Sequence, residues 1–440
     1  MKREKIIALF IISSCCLGVS AQEKWDLHRC IEYALEHNLS IKQQEAERDK
    51  SSVELNTAKM KRLPNLSGSV GQSFNFGRAL QENNTYSDRN TNNTSFSVST
   101  NIPLFTGLNI TNNIALGKLN VKAATEDLNK AMEDISIQVT SFYLQVLFNE
   151  ELAKVAVGQV ELSREQLKLK QAFYDNGKAS ESELYEARSR LAQDEMSSVQ
   201  AGNDYKLALL DLTQMLELPT PEGFSIVSPD GEEKFSNISL PEDIYREAVL
   251  GKPGIKAAEL RTEGAERSIR IAQSAWYPQL SFNAGLGTSY YKMLGQDNIM
   301  FGTQLNKNLS EYLSFSLSIP IFDRLETRNR VRTARIQRTA LSWKLEESKK
   351  ALFKEIQQAY YNAVASESKY RSSNTANEAA EVYFRLVSEK YANGKAASTE
   401  YNEARTSWMK AVSSMIQAKY DYMFRTKILD FYKGVPLTME

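Results

Sequence analysis

The sequence predicts a mainly α-helical, internally duplicated chain. Each half contributes two β-strands and one long antiparallel helical hairpin. Three observations carry this. The stretch Asn176-Gly177-Lys178-Ala179-Ser180-Glu181-Ser182-Glu183-Leu184-Tyr185-Glu186-Ala187-Arg188 returns as Asn393-Gly394-Lys395-Ala396-Ala397-Ser398-Thr399-Glu400-Tyr401-Asn402-Glu403-Ala404-Arg405, 217 residues later and without a gap. Four segments of about ten residues alternate apolar with small polar side chains, as strands do. The runs between them are almost free of Pro and Gly and too long for core helices of a compact domain.

The N-terminus reads as a secretory signal over residues 1–21. Lys2, Arg3 and Lys5 form the basic flank, Ile6 to Val19 the apolar stretch, and Val19-Ser20-Ala21 the small-residue cleavage site. Ile12-Ser13-Ser14-Cys15 is a poor lipidation box beside ordinary cleavage. Cleavage leaves Cys30 as the only cysteine, so packing and assembly, not an internal disulfide, must hold the exported protein. Lys plus Arg and Asp plus Glu both number 54, so no net charge draws the chain to nucleic acid. The mature chain has no 18-residue apolar run, which argues against membrane-spanning helices but not against a barrel.

The first repeat occupies residues 22–217. Asp26 to about Arg62 is helical, with an interruption near Asn38, and Pro64 ends it. A first strand runs over about 66–76, with Leu66, Val70, Phe74 and Phe76 on one face and Ser67, Ser69, Ser73 and Asn75 on the other. Gly77 to Asn93 reads as a polar loop. A second strand over about 95–105 alternates Phe96, Val98, Ile102 and Leu104 with Ser95, Ser97, Ser99 and Asn101, and Pro103 and Gly107 close it. From Asn109 to Tyr174 no Pro occurs, and Leu128, Met132, Ile135, Val139, Phe142 and Val146 follow the four–three spacing of a coiled-coil seam. Such a helix extends ~100 Å at 1.5 Å per residue. A glycine tip at 175–180 reverses the chain. Ser180 or Ser182 caps the next helix, with Glu183 completing a capping box after Ser180.

Residues 218–241, with Pro219, Pro221, Gly223, Pro229 and Gly231, read as a connector. The second repeat, 242–434, follows the first. Asp243 to Ala275 matches the opening helix and Pro278 matches Pro64. A strand over about 280–290 alternates Leu280, Phe282, Ala284, Leu286 and Tyr290 with Ser281, Asn283, Gly285, Gly287 and Ser289. A polar loop over 291–311 precedes a strand over about 313–322, in which Leu313, Phe315, Leu317, Ile319 and Ile321 alternate with serines. Leu345, Leu352, Ile356, Ala359 and Ala363 occupy the seam positions, the second tip lies at 392–397, and residues 435–440 form a tail.

Four strands of this length suit a tilted crossing of a bilayer, yet four cannot close a barrel, and open edges are not tolerated in lipid. Closure requires several copies: two chains supply eight strands and three supply twelve. A soluble sheet packed on helices accounts for the alternation equally well. The export signal and the long helices weigh against it. His28 and His37 stand nine residues apart on different helix faces, with Cys30 between them, so no shared metal is expected there. No phosphate loop or nucleophile motif is present, and neither an enzyme nor a cofactor is expected.

On the two Asn-Gly-Lys…Glu-Ala-Arg tips, the Leu63-Pro64 and Tyr277-Pro278 strand starts, and the Ile102-Pro103-Leu104-Phe105 and Ile319-Pro320-Ile321-Phe322 strand ends, the chain resembles the TolC-type outer-membrane efflux and secretion channels. The resemblance covers nearly all of the mature chain. It implies a homotrimer: a transmembrane β-barrel of twelve strands in the outer-membrane lipid, and a tunnel of coiled-coil hairpins crossing the periplasm. The implied partners are a periplasmic adaptor (membrane fusion) protein and an inner-membrane transporter, either a proton-driven pump or an ABC exporter. The implied function is an exit channel for small molecules such as drugs and toxic compounds. An exit duct for type I protein secretion is the alternative within the family, and a periplasmic coiled-coil scaffold without a barrel is the alternative of another class. By the same resemblance Glu400 and Glu403 stand where acidic residues line the narrow entrance. Residues three apart share a helix face, and threefold symmetry makes each a carboxylate ring that favours cations. A solvated tip face is the plain alternative. Tyr391 matches a tyrosine that closes the tip against acceptors at Ser182 and Glu183. The matching arginine position holds Ala396, with Lys395 beside it as a substitute of different geometry. The tip turns, Asn176-Gly177-Lys178 and Asn393-Gly394-Lys395, are the expected docking surface for the adaptor.

Overall fold

The structure is a computed structural model that describes residues 24–80, 84–88, 90–228, 238–294, 297–435 and 437. The signal segment, Cys15, Pro229 and Gly231 of the connector, and the tail apart from Val435 and Leu437 lie outside the described residues. The chain divides into two compact units, one of Met1–Gln44, Leu128–Lys252 and Lys349–Glu440, the other of Glu45–Asp127 and Pro253–Ser348.

The helices of the first repeat are α1 (Leu27–His37), α2 (Leu39–Met60), α3 (Asn109–Asp175) and α4 (Glu181–Met215); those of the second are α5 (Pro241–Gly251), α6 (Pro253–Gln273), then a seven-residue α7 (Phe301–Lys307), α8 (Glu326–Ala392) and α9 (Ser398–Tyr432). The long hairpins are duplicated without a change in length. Helices α3 and α8 have 67 residues each, and α4 and α9 have 35 each.

In the first unit the core is the predicted seam. Val139 and Val146 are fully buried with Leu128 and Ile135, and Leu212 and Leu216 meet them from α4 and its end. Leu352, Ile356, Ala359 and Ala363 are buried in the second repeat. The break at Asn38 is confirmed, and Lys252 is its counterpart. Both side chains donate to the end of a return helix: Asn38 Nδ2 to the Met215 carbonyl at 3.2 Å, Lys252 Nζ to the Phe431 carbonyl at 3.3 Å. The start of the connector is not a free linker. Phe224 packs edge-on against Trp25, Ile226 is buried and bridges Trp25, and Tyr143 donates to the Val227 carbonyl at 2.6 Å. Cys30 is buried at the centre of this core, and burial pushes its thiol up to about 12. His37 stacks on Tyr33, and the exposed His28 ring lies 3.5 Å from the Glu32 carboxylate.

In the second unit, strands β1 (Asn65–Asn75), β4 (Thr91–Thr106), β5 (Gln279–Met293) and β6 (Ser310–Ser318) form one antiparallel sheet in the order β1-β4-β5-β6. Register confirms the faces. Ser67 and Ser69 stand opposite Ser99 and Ser97 with hydroxyls 3.1 and 2.7 Å apart, and Asn101 donates to Asn283 at 2.6 Å. On the other face Val98 opposes Leu286, and the Phe282 and Phe315 rings meet at 5.0 Å. Away from its loop end this apolar face is uncovered: Leu66, Val70, Phe74, Leu313, Phe315 and Leu317 are 60–78% exposed. A soluble sheet would bury such a face against its own helices.

The structure corrects several boundaries. The loop predicted at 77–93 contains a small ribbon, β2 (Arg78–Leu80) against β3 (Tyr86–Asp88), and β4 begins at Thr91. Pro103 does not close β4: it lies inside, at a register shift between Pro103 and Phe105, where a bulge tolerates the missing N–H. The fourth strand stops at Ser318, so Ile319 and Ile321 are not part of it. Pro320 has no N–H to donate to the ladder.

The loop predicted at 291–311 is largely structured. β5 continues to Met293, but β6 accompanies it only to Gly287. The exposed edge beyond is satisfied by amide side chains. Gln304 bonds both the N–H and the carbonyl of Tyr291 at 2.9 Å, Asn298 bonds both groups of Met293 at 2.7 and 2.9 Å, and Asn308 donates to the Ser289 carbonyl at 2.6 Å. Helix α7 thus covers an edge that pairing leaves open.

Each strand-to-helix turn uses two consecutive left-handed residues, Gly107 and Leu108 in the first repeat and Arg324 and Leu325 in the second. Gly107 has no alternative, because a Cβ there would meet the Ser274 carbonyl oxygen at 2.5 Å.

Candidate functional site

Both tips are built alike. Gly177 and Gly394 take φ of 67° and 71°. The following lysine N–H closes back to the helix, Lys178 to the Phe173 carbonyl and Lys395 to the Lys390 carbonyl, each at 2.8 Å. The glycine N–H bonds go to Tyr174 and Tyr391 carbonyls, both at 2.9 Å. This is the Schellman closure, which requires a left-handed residue at that point. Asn176 and Asn393 add side-chain bonds to the carbonyls of Ala172 and Glu389 at 2.7 and 2.8 Å. The tip Asn and Gly residues therefore shape the turn, and the Lys178 and Lys395 side chains are exposed.

The caps differ. Ser180, not Ser182, caps α4 and accepts from the Glu183 N–H at 3.3 Å. The Glu183 carboxylate pairs with Lys170 at 3.5 Å. Ala397 caps α9 without a side-chain bond.

Above the tips the two hairpins meet along a cleft lined by α3, α4, α8 and α9. Its deepest part holds Arg405, only 2% exposed. Its guanidinium donates to Gln159 Oε1 from two nitrogens at 2.9 and 2.7 Å, to the Gln159 carbonyl, and to Asp194 at 2.7 Å. Ser163 bonds the same carboxylate oxygen. Nearer the tip Tyr401 is buried and stacks on Tyr391 with centroids 4.7 Å apart. Lys170 sits 5.2 Å over the Tyr391 ring while pairing with Glu183. Burial lowers the Lys170 ammonium, but its bonds to Tyr391 and Glu183 outweigh that and hold it above the usual lysine range. Asn402 donates to Glu186 at 2.9 Å.

The expected tip residues are thus brought together in a different arrangement. Tyr391 and Glu183 approach through Lys170 rather than each other, Ser182 is exposed, and Lys395 points into solvent beside Ala396. Glu400 is half-buried and Glu403 exposed on the first turns of α9. The guanidinium that reaches from the second hairpin to acceptors on the first is that of Arg405, not of a residue at position 396. It was missed because its partners stand 211 and 246 residues away. One signal was readable: Gln159, Ser163, Gln166 and Lys170 place polar residues on the four–three–four spacing of a seam.

Two repeats of long hairpin and paired strands are matched by a family profile. The outer membrane efflux protein family aligns with residues 30–217 and 244–429. This chain belongs to that family. Membership places it in the outer membrane. Alkaline protease secretion protein AprF of Pseudomonas aeruginosa is 21% identical over 314 residues, 70% of this chain. The chain spans 63% of the length of that curated relative. The outer membrane channel CmeC of Campylobacter jejuni superposes with a TM-score of 0.76 at 18% identity, over 93% of this chain and 85% of that one. The open state of the MtrE outer membrane channel of Neisseria gonorrhoeae gives 0.73 at 16% identity, over 94% and 90%. The fold is therefore that of family channels, which are transport proteins.

Proposed function

We propose that this chain is the outer-membrane exit channel of a tripartite efflux system, passively conducting small molecules. The observation that carries it is the sheet: four strands, both outer edges without a strand partner among the described residues, one largely uncovered apolar face, and an opposite face dominated by Ser, Thr, Asn, Gln, Gly and Tyr and without a charge. Lipid tolerates neither an open edge nor an unpaired backbone, so the sheet must close with copies of itself. Three copies make a twelve-stranded barrel with the apolar face outward. The hairpins of three copies then extend the duct through the periplasm. The tip turns dock the adaptor, which couples the channel to a proton-driven pump.

Glu400 and Glu403 form the carboxylate rings of the entrance, and Tyr391, Lys170 and Glu183 hold it closed at rest. Planar-bilayer recordings test the closure. Tyr391→Phe combined with Glu183→Ala raises resting conductance if the contact holds the tip; an unchanged conductance removes it from the gate. Deletion followed by drug-susceptibility profiling tests efflux, and sensitivity unchanged towards every compound would count against it. The name of the AprF relative favours a second reading, an exit duct for secreted protein driven by an ABC exporter. A secreted protein lost on deletion, with drug tolerance intact, selects that reading.

A further inference from the structure

The loop end of the sheet, opposite the ends that lead into helices, carries a surface built for more than turning the chain. Phe301 of α7 packs onto the apolar face of the sheet, 5.0 Å from Tyr290 and 6.5 Å from Phe96. Its neighbours point away: Met300 is 79% exposed, and Ile299 and Leu309 are more than half exposed. The apolar face itself ends here. Lys292 on β5 and Glu311 on β6 are the only charged residues of the four strands, and both stand at this end, on that face. Lys307 closes α7 and is exposed, as is Lys292. The backbone groups of the β5 edge are already satisfied by Asn298, Gln304 and Asn308, so the segment meets the requirement for lying against lipid.

We propose that α7 is an interfacial seat on the outer leaflet. Met300, Ile299 and Leu309 enter the boundary between acyl chains and headgroups, and Lys292 and Lys307 meet the phosphates of the lipid headgroups. Short apolar surfaces flanked by lysines bind at that depth, with the ammonium groups reaching outward along their stems. The occupant is lipid because the exposed surface continues the outward face of the sheet and the charges begin where that face ends. This rests on the reading of the sheet as one wall of an outer-membrane barrel.

Spin labelling of the exported chain separates the two. Cys30 is fully buried and stays unlabelled, so Met300→Cys and Leu313→Cys each give one nitroxide. The trimer is reconstituted in phosphatidylethanolamine–phosphatidylglycerol vesicles, and collisions with oxygen and with a water-soluble nickel chelate are compared. Oxygen dominates strongly at 313 and moderately at 300, and Lys292→Gln with Lys307→Gln shifts the label at 300 towards nickel. A nickel-dominated label at 300 with an oxygen-dominated label at 313 overturns the seat and leaves the barrel standing. A label at 300 shielded from both reagents means a neighbouring copy covers the helix, which also overturns it. No shift in the double glutamine variant overturns the phosphate contact. A nickel-dominated label at 313 overturns the barrel and the seat together.

Discussion

Arg188 and Arg405 occupy the same position of the repeated tip motif, 217 residues apart, and the fold treats them oppositely. Arg188 is exposed, bonds Gln171 on its own hairpin at 3.1 Å, and lies over the Tyr185 ring. Arg405 is buried across the hairpins on Gln159 and Asp194. The neighbouring positions diverge too, with Leu184 and Tyr401 both buried but only Tyr401 stacking on a tyrosine. Duplicated sequence therefore preserves the turn, while the face that each copy presents to the other hairpin sets the chemistry. In one chain the second tip holds the charged anchor and the first supplies its acceptors.

The largest expected effect breaks this pair. Arg405→Met leaves the half-buried Asp194 with Ser163 and with Arg190 at 3.7 Å, so the loss approaches but stays below the about 3–5 kcal/mol of a fully buried pair that loses one partner. Arg188→Met, on an exposed face, stays within about 0.5 kcal/mol. Denaturant unfolding with hydrogen exchange of the tip amides measures both; equal costs would dissolve the distinction between the tips. Adding Asp194→Leu to Arg405→Met recovers part of the loss, because the carboxylate goes with its main partner, while Arg190 gives up its ion pair.

The turns should respond identically. Gly177→Ala and Gly394→Ala each force a Cβ into left-handed backbone, at about 1–2 kcal/mol. A difference between them in exchange protection of the adjoining helix ends shows that the shared geometry is held unequally.

The caps should respond unequally. Ser180→Ala weakens the start of α4 by about 1 kcal/mol, and Ala397→Ser strengthens that of α9 by about 0.5–1 kcal/mol. Melting of hairpin peptides grafted on a coiled-coil host reads both, and a null result for Ala397→Ser means the α9 start is held by packing instead.

The smallest effect is in alkali. Burial raises Tyr401, with the nearby Arg405 opposing, and Tyr391 and Glu183 keep Lys170 raised against its burial. A raised pKa means that the folded state holds the proton more tightly. The stabilisation is complete below the unfolded values near pH 10 and is lost as pH rises through the folded ones. Protection at the second tip, taken relative to the base-catalysed intrinsic exchange rate, should therefore fall above about pH 10. Lys170→Met removes the lysine part of that change, and an alkaline profile untouched by it assigns the transition to Tyr401.

Much of the architecture was legible because it is periodic. The seam from Leu128 to Val146, the alternation of Ser67 and Ser69 with Leu66 and Val70, and the Gly177 and Gly394 turns follow from local geometry that any window of the chain displays. The strand ends were less legible. Pro103 and Pro320 sit in matched motifs, yet only one lies inside a strand, because β5 continues opposite Phe105 and accommodates a bulge there. The α7 edge was invisible in sequence, since Asn298, Gln304 and Asn308 act as a strand only where β6 falls short of β5.

The sequence by itself determined that the chain is duplicated, where it turns, and that one face of each strand is apolar. Those properties depend on residues within a few positions of each other, where backbone geometry dictates spacing. Only the tertiary structure decided that Arg405 rather than a residue at 396 bonds across the hairpins, that Lys170 stands between Tyr391 and Glu183, and that the connector joins the core through Ile226. Each depends on side chains far apart in sequence whose burial is set by packing between hairpins. A guanidinium is an ordinary surface charge until a particular neighbour removes its water and returns a carboxylate.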